Sequence, residues 1–270
     1  MKHILLLVIF LFPINSFAQD LVFGIVPQQS ASKLARNWSP LLSQLSALTG
    51  YNIRFATAPN IPTFEKRLAG GEYDIAYMNP YHYVVFSSEP GYAAINKAKN
   101  KLLKGIIVVK KDGPINDESD LNGHTLAFPS PAAFAASILT RDHLTQEGVD
   151  FKPRYVSSHD SVYISVAKGL MPAGGGVKRT LGKTSPEIRE QLRVLWTTKG
   201  YTPHAIAVHP RVTPEVSTNI QKAIALLDSY PEGTDLLESI GIKGFENASN
   251  SDWDDVRELD INLLLSKDKE

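Results

Sequence analysis

Residues 124–139 read HTLAFPSPAAFAASIL, and this stretch indicates a strand, a tight turn and a helix in direct succession. The apolar run 126–128 is short enough for a buried strand, and the two prolines within residues 129–131 stop it. Beyond the turn, apolar side chains recur at the spacing of one helical face, at Phe134, Ile138 and Leu139. The stretch therefore predicts one strand-to-helix junction of an α/β protein.

The start of this predicted helix is suited to binding an anion. Ser130 fits the N-cap, and Pro131 fits the first helical position, where a missing N–H costs nothing. The first N–H groups of a helix lack intrahelical acceptors and lie at the positive end of the helix dipole. They can hold an anion, although most junctions of this kind in α/β proteins bind nothing. This stretch alone does not distinguish an anion-binding helix start from an ordinary junction, so the rest of the sequence is needed.

The preceding part of the chain alternates between strand and helix patterns. Strands are predicted at residues 21–26, 51–56 and 73–78, with helices at 34–48 and 63–69 between them. This is a βαβαβ unit. Its parallel strands place ligand sites in the loops after their carboxyl ends, which here start at Pro27, Thr57 and Asn79.

The following part of the chain predicts a second α/β unit over residues 112–199, after a strand at 103–111. Besides the junction described above, the remaining elements are a strand at 150–156, a helix at 158–168, a glycine-rich turn at 173–176, a short helix at 186–191, strands at 192–198 and 205–209, and helices at 213–230 and 253–265. No repeat and no low-complexity linker separates the units, so we expect strands to pass between them.

The first 18 residues have the pattern of a cleaved signal peptide. Lys2 precedes nine uninterrupted apolar residues, 4–12, and residues 16–18 carry small side chains at the two positions that a signal peptidase inspects. Such a run is about half as long as a membrane-spanning helix. No cysteine follows for lipid attachment. We therefore expect a periplasmic protein without a lipid anchor.

Composition excludes several classes of protein and site. The 270 residues contain 28 basic and 28 acidic residues, and no run of one sign suggests a nucleic-acid surface. The chain contains no cysteine, which excludes disulfides, thiol nucleophiles and thiolate metal sites. The length is sufficient for two domains of ordinary size.

The order of several short motifs resembles the phosphonate-binding protein family, the periplasmic substrate-binding components of phosphate, phosphite or phosphonate ABC transporters. These motifs are GIVP at 24–27, WSPL at 38–41, TG at 49–50, GEYDIA at 71–76, DLNG at 120–123, AFPSP at 127–131, SHD at 158–160 and AKG at 167–169. The resemblance implies an α/β fold of the type II periplasmic binding protein class, with a ligand cleft between two lobes. By that resemblance, residues 19–111 and 200–270 form lobe one and residues 112–199 form lobe two.

The family pattern also implies where a ligand binds, and this chain departs from it. Family members carry serine and threonine hydroxyls at the helix start, where this chain has Ala132, Ala133, Phe134 and Ala135, so only Ser130 offers a hydroxyl near the turn. Backbone N–H groups remain available. Members that bind aminoalkyl phosphonates supply carboxylates, and one such place corresponds to residues 173–176, which contain none. An aminoalkyl phosphonate is therefore a poor candidate.

Aromatic and imidazole groups complete the candidate site. Tyr81 or Tyr83 follows the third strand, where the family places a ligand-contacting tyrosine; either one alternatively packs beneath the loop. His159 matches the family's histidine and offers a donor or a cation to an oxyanion, the alternative being a helix-cap role in place of Ser158. Tyr163 lies one helical turn later on the same face. His204 lies where the chain returns to lobe one, close to the family's ligand contacts.

Other combinations of these residues do not form an enzyme site. Residues 158–160 read Ser-His-Asp, but neighbouring helical residues point in different directions and cannot form a hydrogen-bonded triad. Residues 174–180 lack P-loop spacing, so their glycines more simply bring backbone close to the cleft. Lys178 and Arg179 either lie near an anion or form a solvated helix face. The histidines show no paired ligand spacing, so we predict no metal, no cofactor and no enzyme.

The sequence therefore predicts a solute-binding protein. We expect a monomer that captures a small oxyanion by closing two hinged lobes, binds no nucleic acid, and delivers its ligand to an ABC permease. The alternative is a protein that presents the ligand to a membrane sensor kinase. A zwitterionic or apolar-tailed ligand held by Tyr81, Tyr83 and Phe134 also stays open.

Overall fold

A computed structural model describes residues 19–264, which form two separate β-sheets covered by helices. The strands are β1 (Asp20–Ile25), β2 (Asn52–Ala56), β3 (Ile75–Met78), β4 (Ala93–Ala98), β5 (Gly105–Lys110), β6 (His124–Phe128), β7 (Phe151–Tyr155), β8 (Ala173–Val177), β9 (Leu192–Thr197), β10 (Ala205–Val208) and β11 (Phe245–Asn247). The α-helices are α1 (Ala31–Thr49), α2 (Ile61–Ala69), α3 (Pro80–Phe86), α4 (Leu139–Gln146), α5 (His159–Ala167), α6 (Lys178–Gly182), α7 (Pro186–Arg189), α8 (Pro214–Ala225), α9 (Pro231–Ser239) and α10 (Asp254–Arg257).

The first sheet has the strand order β11-β4-β10-β3-β1-β2. Strands β1, β2 and β3 are parallel, as the βαβαβ pattern predicted, whereas β10 runs antiparallel to both β3 and β4. Helix α1 packs on this sheet through one apolar face and ends at Gly50, whose φ of 74° is left-handed and suits a glycine cap. Pro40 lies inside α1, which continues through it as one helix.

The second sheet repeats this arrangement with the order β7-β6-β8-β5-β9. Strands β6, β7 and β8 are parallel, and β5 lies antiparallel between β8 and β9. The two sheets confirm the predicted mixed α/β fold with two lobes.

The predicted boundary at residue 111 is wrong for one strand. It placed β5 in lobe one, but this strand pairs along its whole length with β8 and β9 of the second sheet. The chain therefore crosses between the sheets before Gly105. It returns between β9 and β10, and the two crossing segments pair through hydrogen bonds between Leu103 and Tyr201 (2.7 and 2.9 Å).

Three predicted elements differ from the structure. The glycine-rich stretch expected as a turn is the fully buried strand β8. Residues 80–86, expected to continue as a loop, form helix α3, and Asn79 caps it by accepting from the His82 N–H (2.8 Å). The expected tail helix is limited to α10 and the 3₁₀ turn Asn250–Trp253 before it.

The predicted signal peptide, residues 1–18, lies outside the described residues. Within residues 19–264, no helix has the length and apolar composition required to cross a bilayer.

Candidate functional site

The helix after β6 begins later than the sequence predicted. Residues 131–133 form a turn, and a π-helical turn, Phe134–Ile138, then leads into α4. The N-cap is Ala133 and has no side-chain hydrogen bond, so the prediction that Ser130 caps the helix with Pro131 at its first position is wrong. Two hydrogen bonds stabilise a turn here in place of the first helical turn. The Ala133 N–H donates to the Ser130 carbonyl (3.4 Å), and the Asn79 amide donates to the Ala132 carbonyl (3.2 Å).

This helix start leaves backbone donors available. The Ser137 and Ile138 N–H groups both donate to the Ala133 carbonyl (2.7 and 3.3 Å). The N–H groups of Phe134, Ala135 and Ala136 have no acceptor within residues 19–264. Unpaired N–H groups at a helix start carry the positive end of the helix dipole. The start therefore retains the donors that an anion requires, without a hydroxyl at residues 132–136.

A small cavity between the lobes brings this helix start together with both predicted histidines. Its volume is about 10 Å³, and no acidic side chain lines it. The lining residues are Val26, Gln28, Ile61, Asn79, Leu103, Ala133, Phe134, Ala135, His159, Val177 and His204. Four of the nine predicted site residues, Ala133, Phe134, His159 and His204, therefore line one cavity.

His204 is the polar group of the cavity with the clearest unused hydrogen-bonding capacity. It is 2% exposed, and its ring stacks on Tyr77 with centroids 4.9 Å apart. Its Nε2 atom has no hydrogen-bond partner among the described residues. Burial, followed by the charge of Arg179, lowers the pKa of His204 well below the ordinary value. The ring is therefore neutral at pH 7 and can donate or accept one hydrogen bond according to its tautomer.

His159 is held from both lobes. Its backbone N–H donates to the Gln28 carbonyl of lobe one (3.0 Å), and its Nδ1 lies 3.2 Å from the Thr180 hydroxyl of lobe two. Ser158 is the helix cap and accepts from the Ser161 N–H (3.1 Å), which leaves the imidazole of His159 available. Burial and the nearby Arg179 lower the pKa of His159 to about 3. This ring too is neutral at pH 7.

Tyr163 supports His159 and does not line the cavity. Its hydroxyl accepts from the Val177 N–H (3.1 Å), and it lies 2.7 Å from the Thr180 hydroxyl that contacts His159. Burial raises the pKa of Tyr163 above the ordinary value, so the phenol stays protonated. The geometry makes Tyr163 a positioning residue for Thr180 and His159.

Tyr81 and Tyr83 lie away from the cavity. The Tyr81 hydroxyl accepts from the Leu264 N–H (2.8 Å), and the Tyr83 hydroxyl donates to Asn250 (2.9 Å) and accepts from the Ala94 N–H (3.2 Å). Helix α3 turns both rings towards the C-terminal segment, where Tyr83 packs on Trp253. Both rings are buried against this segment and lie outside the cavity lining.

Ser130 and Ala132 are buried in the turn before the helix, outside the cavity lining. The Ser130 hydroxyl has no partner among the described residues, and Ala132 contributes its carbonyl to the contact with Asn79. The Ser130 hydroxyl, which the sequence offered in place of the family's serine and threonine hydroxyls, is therefore not at the cavity.

The structure adds three residues that the sequence did not single out as ligand contacts. Gln28 and Asn79 line the cavity, and Tyr77 supports His204 from β3. Arg179 reaches across the lobes: it donates to the Gln28 side chain (2.5 Å) and to the Ile240 carbonyl (3.1 Å). The position of Gln28 and Asn79 in the sequence could have indicated them as ligand contacts, because both lie in the segments that follow the carboxyl ends of β1 and β3.

The chemistry of this cavity suits an anion better than a cation. Neutral donors and an adjacent guanidinium surround it, and no carboxylate lines it. Within residues 19–264, no three or more His, Asp or Glu side chains are grouped in a way that could hold a metal ion.

Comparison with known proteins identifies the family. A profile of the phosphonate ABC transporter periplasmic substrate-binding proteins matches residues 23–253. The chain belongs to this family. Phosphonate-family members are substrate-binding proteins of ABC transporters and not enzymes, which confirms the prediction of a non-enzymatic protein.

Individual relatives are distant. The phosphate-import protein PhnD of Mycolicibacterium smegmatis is 22% identical over 78% of this chain and 73% of its own length. The solved structure of a binding-protein component of an ABC phosphonate transporter from Pseudomonas aeruginosa has a TM-score of 0.83 at 16% identity, covering 90% of this chain and 86% of the other. PhnD1 of Prochlorococcus marinus, solved with methylphosphonate, has a TM-score of 0.81 at 18% identity, covering 89% and 97%. These two structures establish the fold.

Proposed function

We propose that this family member captures a small oxyanion of the phosphate, phosphite or phosphonate type between its lobes and delivers it to an ABC permease. One observation carries the proposal: the unpaired N–H groups of Phe134 and Ala135 and the unpaired Nε2 of His204 belong to residues lining a single cavity without carboxylates. Such donors are suited to a tetrahedral oxyanion.

The binding chemistry follows from the protonation states of the site. His159 and His204 are neutral, so each can donate one N–H to an oxygen atom without adding a charge. Arg179 supplies the fixed positive charge next to the cavity.

Lobe closure is the second part of the proposal. Direct contacts already join the lobes in this structure: Asn79 to the Ala132 carbonyl, His159 to the Gln28 carbonyl, and Lys33 to Asp160 (3.4 Å). The cavity has room for about one water molecule. A ligand of five or more heavy atoms therefore has to enter when the lobes are apart, and it gains its affinity on closure.

The ligand class is narrower than that of the family. The helix start has no hydroxyl at residues 132–136, and the glycines of β8 are packed against Ala127, Ala136 and Tyr163. No carboxylate stands ready for an ammonium group in this cavity. We therefore propose an anion without an amino group.

Calorimetric titration of the purified protein with phosphate, phosphite and methylphosphonate tests the proposal. At least one should bind with micromolar or better affinity, and His204→Ala should weaken that ligand by about tenfold because it removes one charge-assisted hydrogen bond. The exposed His124 provides a matched control, since His124→Ala removes an imidazole outside the cavity. No heat or thermal shift with any of the three anions would refute the oxyanion function.

The cellular setting is also part of the proposal. The signal-peptide pattern of residues 1–18 supports export and cleavage near Ala18, and the protein is proposed to act as a periplasmic monomer. The closed, liganded form should co-purify with an ABC permease from detergent-solubilised membranes. Recovery of a sensor kinase without a permease would favour the signalling alternative.

A further inference from the structure

A second, larger cavity opens beside the small one, next to the segments that cross between the lobes. Its volume is about 390 Å³, within the range of small-molecule sites. Apolar groups, including Leu103, Pro203 and Ile242, form part of its lining. Its charged residues are all basic: Lys101, Lys104, Lys178, Arg179 and Lys183.

Among the residues that the structure describes, these five positive charges have no carboxylate partners. Within residues 19–264, none of them lies within 4.0 Å of an acidic side chain, whereas Lys97 and Lys99 each form such a pair. Lys101 and Lys183 donate only to backbone carbonyls, those of Gly241 (2.9 Å) and Glu238 (2.7 Å). The pKa of Lys101 is lowered first by burial and then by the positive charges of Arg179, Lys183 and Lys243. The second effect is repulsion between neighbouring cations. An anionic group placed here would relieve that repulsion.

The two cavities adjoin. Leu103 and His204 line both of them, and His204, 2% exposed with an unpaired Nε2, forms part of the wall between them. Helix α6 supplies Lys178 and Arg179 to the lining of the larger cavity, and its C-cap, Lys183, lines the same cavity. A ligand bound at the helix start near Phe134 therefore has the basic cavity next to it, beyond His204.

We propose that the ligand is an elongated organic phosphonate or phosphate with a second anionic group, held by the lysines of the larger cavity. This inference rests on the proposed function and names its substrate class. The phosphorus oxyanion binds at the helix start, a short hydrocarbon body lies on the apolar lining, and the second anion meets Lys104 and Lys178. Charge-assisted hydrogen bonds to several cations favour such a ligand over a singly anionic one of equal length.

Calorimetry with two ligands of matched length tests this inference. Butylphosphonate and 4-phosphonobutyrate differ by the terminal carboxylate alone. We expect 4-phosphonobutyrate to bind at least about tenfold more tightly, the effect of one charge-assisted interaction. In the double variant Lys104→Gln/Lys178→Gln this difference in affinity between the two ligands should disappear. Both lysines are exposed and lack side-chain partners among the described residues, so the variant should fold, which thermal unfolding would verify.

The control variant is Lys152→Gln, the same change at an exposed lysine of β7 outside both cavities; it should keep the tenfold difference. Equal affinity of the two ligands for the wild type, failure of both where methylphosphonate binds, or survival of the difference in the double variant would overturn this inference alone. Failure of every phosphonate to bind would overturn the proposed function and this inference together.

Discussion

His159 and His204 are buried without an anionic partner, and both therefore stay neutral. Burial is the main cause of the lowered pKa of each ring and the charge of Arg179 comes second, so burial and charge act in the same direction. The sequence indicated both residues, His159 by its family motif and His204 by the return of the chain. It did not indicate their neutral state, because Arg179 approaches only after α6 packs against lobe one through Gln28 and Ile240.

The neutral state of His159 predicts a pH-dependent stability. Its folded pKa of about 3 lies below the ordinary value of 6.5, so the unfolded chain takes up a proton that the folded protein does not. The contribution of His159 to the free energy of unfolding is fully present above pH 6.5 and is lost as the pH falls towards 3. Between pH 7 and pH 5 this group alone should reduce the free energy of unfolding by about 2 kcal/mol.

Urea denaturation at both pH values measures this effect. The variant His159→Gln should lose about 2 kcal/mol less between pH 7 and pH 5 than the wild type does. His124→Gln, at an exposed position, should retain the wild-type difference. Equal pH dependence in His159→Gln and the wild type would show that His159 is not held neutral by the fold.

At the level of elements, two glycines determine how the π-helical turn packs on the second sheet. A Cβ at Gly105 would overlap the Ala135 carbonyl oxygen, and a Cβ at Gly175 would overlap the Ala136 carbonyl oxygen. No side chain fits between this helix start and strands β5 and β8. The sequence suggested that the glycines of residues 174–176 bring backbone close to the cleft, whereas in the structure Gly105 and Gly175 bring the helix start at Phe134 close to its sheet.

We predict that Gly175→Ala destabilises the fold and weakens ligand binding. The added methyl group meets a backbone carbonyl and the Phe128 ring, so the helix start must shift, at a cost of about 2 kcal/mol or more. Chemical denaturation would measure the loss. Gly182→Ala is the matched control, because no heavy atom lies within 4 Å of its added Cβ; its stability should change by less than about 1 kcal/mol. Wild-type stability of Gly175→Ala would contradict this packing account.

At the scale of the whole molecule, Arg179 links the two lobes through two hydrogen bonds that the sequence did not predict. It extends from α6 in lobe two to Gln28 and to Ile240 in lobe one, and its guanidinium lies 6.0 Å from the centre of the Tyr77 ring. Lys183, four residues later, adds a bond to the Glu238 carbonyl. Helix α6 and its C-cap residue Lys183 thus supply several polar contacts between the lobes.

Replacing Arg179 should therefore shift the protein towards an open arrangement. Arg179→Met removes two hydrogen bonds of a charged group, each worth about 1.5–3 kcal/mol, and so should reduce the closed population by at least about tenfold. Small-angle X-ray scattering should show a larger radius of gyration without ligand. Arg189→Met is the control, since the side chain of Arg189 donates a hydrogen bond to the Gly182 carbonyl within lobe two and to no lobe-one residue among those the structure describes. An unchanged scattering profile for Arg179→Met would exclude this residue as a determinant of closure.

The sequence by itself determined the α/β alternation, the parallel βαβαβ unit, the family and the two histidines of the cavity, because periodicity and motif order are local properties of the chain. Only the tertiary structure decided which sheet β5 joins, where the helix after β6 begins, and which way Tyr81 and Tyr83 point. It also assembled the basic cavity from segments near Lys101, Lys178, Pro203 and Ile242. These features depend on contacts between residues far apart in the chain, and no local pattern records which distant segment will supply a strand partner, a hydrogen-bond acceptor or a neighbouring charge.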